Sequence, residues 1–268
     1  MDTPLLPAIE VRNLTMGFAD LILLQHADFE VKQGEIFVIL GGSGCGKSTL
    51  LKHILGLYSP MQGSILIHGT PLNPDDPSAY QAILKTFGVM YQGGALFGSM
   101  TLAENVALAV EEYTDLPDAA IRDLVEIKLR QVGLAGFEDH LPMEVSGGMK
   151  KRAAIARALV LNPKILFLDE PSAGLDPITS ADLDELIREI NASLGTTVVI
   201  VSHELPSIFS IAHRVIMLDK ESRSIIAEGD PKFLRNHSPH AMVRRFFNRQ
   251  AMQKNTHAEN THAENSTP

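Results

Sequence analysis

Residues 40–49, LGGSGCGKST, place four glycines around one lysine, and this pattern is typical of a phosphate-binding loop. The stretch follows the apolar run IFVIL (36–40) and precedes STLLKHILGL (48–57), which has a helical pattern. Glycines let backbone N–H groups surround an anion, and the N-terminus of the following helix favours negative charge. Lys47 is expected to bind the β- and γ-phosphates, and the Ser48 hydroxyl to bind Mg²⁺. The pattern therefore predicts a nucleoside triphosphate site.

The whole loop is a candidate for nucleotide binding. Its expected phosphate-binding residues are Gly41, Gly42, Ser43, Gly44, Cys45, Gly46, Lys47, Ser48 and Thr49. Cys45 is the only cysteine of the chain, so a disulfide framework within one chain is excluded. We interpret it as a small residue at a free position of the pattern, because no base can be assigned to it.

Two carboxylates follow another apolar run, in ILFLDEP (165–171). A strand end fixes a side chain well, so we expect Asp169 to act on Mg²⁺, directly or through water. Glu170 comes next and is expected to polarise the attacking water as a general base. Two carboxylates in this position are also compatible with a helix cap. The presence of Lys47 in the same chain favours the catalytic interpretation.

The elements around these motifs predict an α/β fold. The runs 36–40, 165–168, 197–201 and 214–218 are rich in Val, Ile and Leu without alternation, as in a parallel sheet covered on both faces. Segments 8–35 and 63–69 alternate apolar and polar residues, which is typical of half-exposed antiparallel strands. Residues 93–161 are mostly helical in pattern, with one apolar stripe that we assign to core packing, at Ile121, Leu124, Val125, Leu129 and Val132.

Composition limits the classes of function. The chain has 268 residues, 45% of them hydrophobic, and a formal charge of -9. This charge argues against a general affinity for nucleic acid, so no nucleic-acid partner is expected. No apolar run approaches the roughly 20 residues that a membrane span needs, and the start has no signal-peptide pattern. We expect a soluble, cytoplasmic chain that another protein would hold at any membrane.

With these motifs in order, residues 8–236 resemble an ABC-type ATPase. The resemblance adds VSGGMKKRAAIARAL (145–159), similar to the family signature, SAGLDP (172–177), similar to the D-loop, and IVSHE (200–204), similar to the switch histidine segment. Gln92 resembles the Q-loop glutamine, and Phe18 lies where the family has an aromatic that stacks on adenine. Val145 and Met149 depart from the usual Leu and Gln, but the serine and glycines of the signature are intact.

The resemblance implies a P-loop NTPase (RecA-like) core, an antiparallel β subdomain and an inserted α-helical subdomain. It assigns core and β subdomain to 8–92 and 162–236, and the helical subdomain to 93–161. A C-terminal helical extension is expected at 237–250. Residues 251–268, with THAEN repeated at 256–260 and 261–265, are expected to be disordered.

The resemblance also implies how the site works. Two copies would sandwich two ATP molecules head to tail, and Ser146, Gly147 and Gly148 of one copy would close over the ATP held by the other. His203 would hydrogen-bond the γ-phosphate and Asp176 would link the two sites. Gln92 would bind Mg²⁺ and connect nucleotide state to a partner. We interpret Lys150, Lys151 and Arg152 as a solvated helix face in preference to direct phosphate contacts.

A finer resemblance, carried by SGGMKKRAAIARAL, AGLDPIT and DPKFLRNHSPHAMVRRFFNR, is to the ATPases of Mla-type, Mce-associated lipid transport systems. It implies phospholipid transport between inner and outer membranes, an integral-membrane permease and an Mce-domain lipid-binding protein as partners. The chain would then lie at the cytoplasmic face of the bacterial inner membrane. The segment 94–108 is expected to line the permease groove, with Leu96 and Phe97 either contacting the permease or packing in the core.

Other functions stay open. The same ATPase could drive another cargo, such as organic solvent export. A chromosome-type SMC ATPase is disfavoured because only about a hundred residues separate the two nucleotide motifs and no heptad run occurs. A soluble translation factor of the ABC type is disfavoured because such factors carry two ATPase units in one chain.

Overall fold

The computed structural model describes residues 6–19 and 21–249, in which the strands form two sheets. The strands are β1 (Ile9–Phe18), β2 (Leu21–Val31), β3 (Ile36–Gly41), β4 (Gln62–Ile67), β5 (Thr70–Pro71), β6 (Phe87–Met90), β7 (Ile165–Asp169), β8 (Thr197–Val201), β9 (Arg214–Asp219) and β10 (Ser224–Gly229). The helices are α1 (Lys47–Ile54), α2 (Pro77–Leu84), α3 (Leu102–Tyr113), α4 (Asp118–Gln131), α5 (Gly147–Leu159), α6 (Pro177–Leu194), α7 (Leu205–Ile211), α8 (Pro231–His237) and α9 (Ala241–Phe247). Pro142–Glu144 forms a short 3-10 helix.

The larger sheet has the strand order β10-β9-β3-β8-β7-β6. All neighbouring pairs are parallel except β10 with β9, and β3, β7 and β8 are buried along their whole length. Helices cover one face, and α1 with the smaller sheet covers the other, so continuous apolar runs are the expected sequence of its central strands. The α/β prediction and the four predicted strands are confirmed. The carboxyl ends of β3, β6, β7 and β8 meet at one edge of this sheet.

The smaller sheet is antiparallel, with the order β2-β1-β4-β5. Its apolar face packs against α1 and the larger sheet in one cluster of buried side chains. The cluster includes Leu50 and Ile54 of α1, and Phe37 of β3, whose ring stacks on Phe29 of β2 at 5.8 Å. Helix α1 is therefore held between the two sheets, and this packing fixes the loop that precedes it.

Helix α1 is shorter than the helical pattern of 48–57 predicts. It ends at Ile54 because Gly56 adopts a left-handed conformation with φ of +75°. The Gly56 N–H then binds the His53 carbonyl and the Leu57 N–H binds the Lys52 carbonyl, which satisfies the open carbonyls of the last turn. Helix α2 and strand β6 were not predicted, since each is short and lacks a distinctive apolar period.

Helices α3, α4 and α5 form the predicted helical region beside the larger sheet. Ile121, Val125, Leu129 and Val132 are buried and Leu124 packs against the same cluster, so the predicted apolar stripe is a packing surface. In the described ranges, no helix is both long and apolar enough to cross a membrane. The expected tail, 251–268, lies outside the described residues.

A buried asparagine holds the loop that leads into α3. Asn105 has no exposed surface, and its Oδ1 accepts a hydrogen bond from the Phe97 N–H at 2.7 Å. Its Nδ2 lies 3.1 Å from the Phe97 carbonyl, 3.1 Å from that of Met100 and 2.9 Å from that of Thr101. One side chain therefore satisfies the backbone of residues 97–101, and Leu96 packs on the core while Phe97 stays 57% exposed.

Replacing Asn105 by alanine should lower the free energy of unfolding by about 2–4 kcal/mol, because it leaves buried backbone groups without partners. Chemical denaturation followed by circular dichroism measures this change. Asn236→Ala, at an exposed position of α8, is the matched control and should change stability by less than about 0.5 kcal/mol. Equal effects of the two substitutions would contradict the proposed role of Asn105.

Candidate functional site

The glycine-rich loop joins the end of β3 to the start of α1 and needs its glycines for two reasons. Gly41, Gly44 and Gly46 have φ values of +148°, +74° and +99°, a region that favours glycine. A Cβ on Gly41 would lie 2.6 Å from the Leu218 carbonyl oxygen of β9 and 2.4 Å from Cys45 Sγ. The loop can therefore pass close to β9 only without a side chain at this position.

The loop residues differ in exposure. Gly42, Ser43, Gly44 and Ser48 are exposed, Lys47 and Thr49 are half-buried, and Gly41, Cys45 and Gly46 are buried. Lys47 Nζ donates to the carbonyls of Gly41 at 2.9 Å and Gly42 at 3.2 Å, so its ammonium lies across the loop. A phosphate that enters the loop would meet this charge and the exposed N–H groups together.

Cys45 is 2% exposed and belongs to the buried cluster between the sheets. Burial raises the pKa of its thiol, which keeps it protonated and poorly reactive at neutral pH. These features support its interpretation as a small packing residue.

Two carboxylates lie at the carboxyl end of β7, as their sequence position predicts. Asp169 and Glu170 are 9% and 8% exposed. Burial, and then the charge of Glu170, raise the pKa of Asp169, while Lys47, Lys52 and Lys151 act in the opposite direction. Asp169 Oδ1 and Glu170 Oε2 are buried without a hydrogen-bond partner in the part of the chain that the structure describes. Such atoms are compatible with a bound water, ion or ligand.

Glu170 has a left-handed backbone, with φ of +49°, and its N–H binds the Val201 carbonyl of β8 at 2.8 Å. His203, which follows β8, approaches from the same strand end, and its Nδ1 lies 2.7 Å from Glu170 Oε1. The His203 side chain is 58% exposed. Sequence analysis expected His203 to bind the γ-phosphate and did not predict this contact with Glu170.

Gln92 lies in an exposed turn two residues after β6. The parallel register pairs Met90 of β6 with Leu168 of β7, so this turn is beside the end of β7. Burial, and then the charge of Asp169, raise the pKa of the neighbouring Tyr91, whose phenol therefore lies near the same carboxylate. Sequence analysis missed Tyr91; only its place next to Gln92 signals it.

The signature and D-loop segments come together at the N-termini of α5 and α6. Ser146 caps α5, and its Oγ accepts from the Met149 N–H at 3.2 Å. Asp176 caps α6, and its side chain accepts from the N–H groups of Ile178 and Thr179. The hydrogen bond from the Thr179 hydroxyl, and then those from the N–H groups, lower the pKa of Asp176. The two helix starts are in contact, since a Cβ on Gly148 would lie 2.6 Å from Thr179 Cγ2.

Phe18, the predicted adenine-stacking residue, is 47% exposed at the end of β1. Its ring packs edge-on against Tyr58 at 5.6 Å, and Tyr58 also contacts the His53 ring at 5.7 Å. Lys52 Nζ lies 5.5 Å from the centre of the Tyr58 ring. Tyr58 therefore supports the Phe18 ring, a role that sequence analysis missed because the two residues are far apart in the chain.

The interpretation of residues 150–152 as a solvated face was wrong for Lys151. This residue is 7% exposed, and its Nζ donates to the Glu170 carbonyl at 3.1 Å. Arg152 is half-buried and donates to the Val132 carbonyl. Helical spacing places Lys151 on the same face as the buried Ile155 and Leu159, and this period was the available signal.

Comparison with known proteins agrees with this geometry. The family model described as "ABC transporter" matches residues 24–173, which is more than half of the chain. A Mycobacterium leprae protein, "probable ribonucleotide transport ATP-binding protein mkl", is 42% identical, over 91% of this chain and 70% of its own. "Intermembrane phospholipid transport system ATP-binding protein MlaF" is 40% identical in Haemophilus influenzae, over 82% of this chain and 83% of its own. The Escherichia coli K12 protein of the same name is 38% identical, over 90% and 88%.

Solved structures show the same fold. The cbiO1 protein from Clostridium perfringens, part of the ABC transporter complex cbiONQ, matches with a TM-score of 0.79 and 30% identity, over 86% of this chain and 91% of its own. A dimeric ATP-binding cassette in a post-hydrolysis state, bound to ADP and Pi, matches with a TM-score of 0.74 and 30% identity, over 83% and 98%. With the phosphate loop, the carboxylate pair and the signature in one fold, the chain belongs to the ABC transporter family, as one of its ATP-hydrolysing subunits.

Proposed function

We propose that residues 41–49, Asp169, Glu170 and His203 form the ATP-hydrolysing site of this chain. The observation that carries the proposal is the state of Glu170. One of its carboxylate oxygens is 2.7 Å from His203 Nδ1, and the other is buried without a partner in the described ranges. A carboxylate held in this way has a free oxygen for one water molecule.

The proposed reaction is hydrolysis of the terminal anhydride of ATP. Water attacks the γ-phosphorus, the bond from this phosphorus to the bridging oxygen of ADP breaks, and Glu170 accepts the proton of the water. Lys47 and the N–H groups of the loop bind the phosphate oxygens. His203 keeps Glu170 in place, and its exposed ring is the proposed contact for the γ-phosphate.

The donor set of the site fits magnesium. Asp169 Oδ1 is a buried oxygen without a partner among the described residues, and Ser48 and Gln92 add exposed hydroxyl and amide oxygens. Mg²⁺ prefers oxygen ligands and commonly binds through one carboxylate plus substrate phosphates. We therefore assign Ser48, Gln92 and Asp169 as the residues that would hold it; when bound, the ion would neutralise charge on the β- and γ-phosphates.

The surface that bears Ser146, Gly147 and Asp176 supports pairing of two copies. Ser146 and Gly147 are exposed at the start of α5. Met143 and Ile178, which flank these segments, are 80% and 75% exposed, the highest values among the large hydrophobic residues described. We propose a head-to-tail homodimer in which this surface closes over the ATP of the partner copy. ATP would stabilise the closed pair and hydrolysis would open it.

A groove beside the nucleotide site supports a permease partner. A cavity of about 970 Å³ lies between α2, β6, α3 and α5, with Tyr80, Tyr91 and Tyr113 on its walls. Arg157 lines this cavity and also binds the carbonyls of Gly94 and Ala95, at the start of the segment 94–108. We propose that a cytoplasmic helix of an integral-membrane permease docks here, which would hold the chain at the cytoplasmic face of a bacterial inner membrane.

The proposed cargo is phospholipid moved between the inner and outer membranes, with an Mce-domain lipid-binding protein in the complex. Two relatives named for intermembrane phospholipid transport support it, at 40% and 38% identity. The 42% identical relative named for ribonucleotide transport supports a different cargo as the second candidate. All these names are of transport proteins, which disfavours a chromosome-type ATPase. We keep 8–236 as one ATPase domain and 237–250 as its extension, which includes α9.

Glu170→Gln should retain ATP binding and lower kcat at least about 100-fold, because an amide cannot accept the proton of the water. In light scattering after size exclusion, this variant should form a dimer when ATP is present. Glu189→Gln, at an exposed position of α6, is the control and should keep normal turnover. Normal turnover in Glu170→Gln would rule out Glu170 as the base.

Lys47→Ala should lose ATP affinity and ATPase activity together, since its ammonium is the charge expected at the β- and γ-phosphates. Binding of a fluorescent ATP analogue measures the first, and phosphate release the second. Lys32→Ala, an exposed lysine of the turn between β2 and β3, should behave as the unchanged chain. An unchanged ATPase rate in Lys47→Ala would contradict the phosphate-loop assignment.

Ile178→Glu in the Glu170→Gln background should prevent the ATP-driven dimer and leave ATP affinity within about twofold, because it adds charge to the proposed interface. The matched control is Phe233→Glu on α8, which also replaces an exposed apolar side chain, at 59% exposure. Dimer formation by the Ile178→Glu chain, with an affinity equal to that of the control, would place the interface elsewhere.

The cargo is tested with the complete transporter. The permease and the Mce-domain protein, when purified with this chain and placed in vesicles that contain fluorescent phospholipid, should transfer that lipid in an ATP-dependent way. The same complex with Glu170→Gln is the control. Stimulation of the ATPase by a nucleotide or solvent cargo, without any lipid transfer, would favour the second candidate.

A further inference from the structure

We infer that Lys151 is a positioning residue for hydrolysis, which holds Glu170 in its active backbone conformation through a hydrogen bond to the Glu170 carbonyl. The inference rests on the proposed role of Glu170 as the base, and adds a residue outside the phosphate loop and the carboxylate pair. It also links helix α5, which begins in the signature segment, to Glu170, the proposed general base of the same chain.

The contact is short and shielded from water. Lys151 is 7% exposed, and its Nζ lies 3.1 Å from the Glu170 carbonyl oxygen. A lysine ammonium is rarely buried to this extent unless it has partners. Burial lowers the Lys151 pKa, while the charges of Glu170 and Asp169 act in the opposite direction, so the two carboxylates are near enough to favour the ammonium.

Glu170 needs such support because its backbone is in an unfavourable region. A φ of +49° is uncommon for a residue with a side chain and persists where the surroundings fix it. The Glu170 N–H is bound to the Val201 carbonyl at 2.8 Å. Its carbonyl accepts from the Ala173 N–H at 3.2 Å and from Lys151. Lys151 is the one side chain in this set of bonds, and a substitution can therefore remove it alone.

The direction of the Glu170 side chain depends on this backbone. Peptide rotation at residue 170 would move the carboxylate away from His203 Nδ1, which is now 2.7 Å from Oε1. The base would then be in place for a smaller fraction of the time, and kcat would fall. ATP binding should be unchanged, because the hydrogen bond of Lys151 goes to the Glu170 carbonyl and not to the glycine-rich loop.

The bond also joins two parts of the fold. Lys151 lies in the first turns of α5, five residues after the cap Ser146, and Glu170 follows β7. When the partner copy closes on Ser146, a shift of α5 would move Lys151 and so change its hydrogen bond to the Glu170 carbonyl. Contact at the signature could thus influence the base of the same copy, in addition to the ATP of the other.

The test is a set of three variants assayed for ATP hydrolysis. Lys151→Met, which keeps the length of the side chain and removes the donor, should lower kcat at least about tenfold and leave KM and ATP affinity within twofold. Lys151→Arg, which keeps charge and donor, should recover most of kcat. Lys150→Met, one residue away and half-buried, is the control and should match the unchanged chain.

A second measurement separates positioning from packing. In the Glu170→Gln background, Lys151→Met should cause no further loss of the residual rate, because its effect acts through Glu170. If Lys151→Met does not fold, Lys151→Ala is assayed with and without added propylammonium, which should raise kcat without changing KM.

The inference is overturned if Lys151→Met keeps kcat within twofold. It is also overturned if kcat, ATP affinity and thermal stability fall together and Lys151→Arg does not restore kcat, because a packing role would then suffice. Failure of the underlying proposal looks different: Glu170→Gln would hydrolyse ATP normally, whatever Lys151→Met does.

Discussion

The hydrogen bond between His203 Nδ1 and Glu170 Oε1 is the constraint on which the site depends. It joins the ends of two adjacent parallel strands, β7 and β8, and it occupies one oxygen of a buried carboxylate. The other oxygen is left for a ligand. A carboxylate without fixed direction could serve as a metal ligand, but it would be a poor base for one particular water molecule.

Several unfavourable features lie within a few residues of this bond. Asp169 and Glu170 are adjacent and buried, each has one buried oxygen without a partner in the described chain, and Glu170 has a left-handed backbone. Burial of charge without partners destabilises a fold. The surrounding order offsets this cost: fully buried β3, β7 and β8 form the centre of the sheet, and α1 is held between two sheets. The pattern is typical of a functional site that stable neighbours support.

Much of this arrangement could be predicted from the sequence. Continuous apolar runs predicted the bounds of β3, β7, β8 and β9 to within one residue. The glycines of GCGKST identified the phosphate-binding loop. Contacts that depend on the direction of a carbonyl or a ring could not be predicted: Lys151 to Glu170, Asn105 to residues 97–101, and Tyr58 to Phe18. Each joins residues through backbone or ring geometry that composition and spacing do not encode. Helix α2, which lines the large cavity next to β6, was also not predicted.

The central claim is that two copies of this chain enclose ATP and that Glu170 then activates the attacking water. Determination of the Glu170→Gln structure with ATP and magnesium tests it most directly. The account predicts a dimer in which the γ-phosphate contacts Lys47 and His203 of one copy and Ser146 of the other, with a water next to residue 170. A single copy whose ATP phosphates lie away from Lys47 and residue 170 would contradict it.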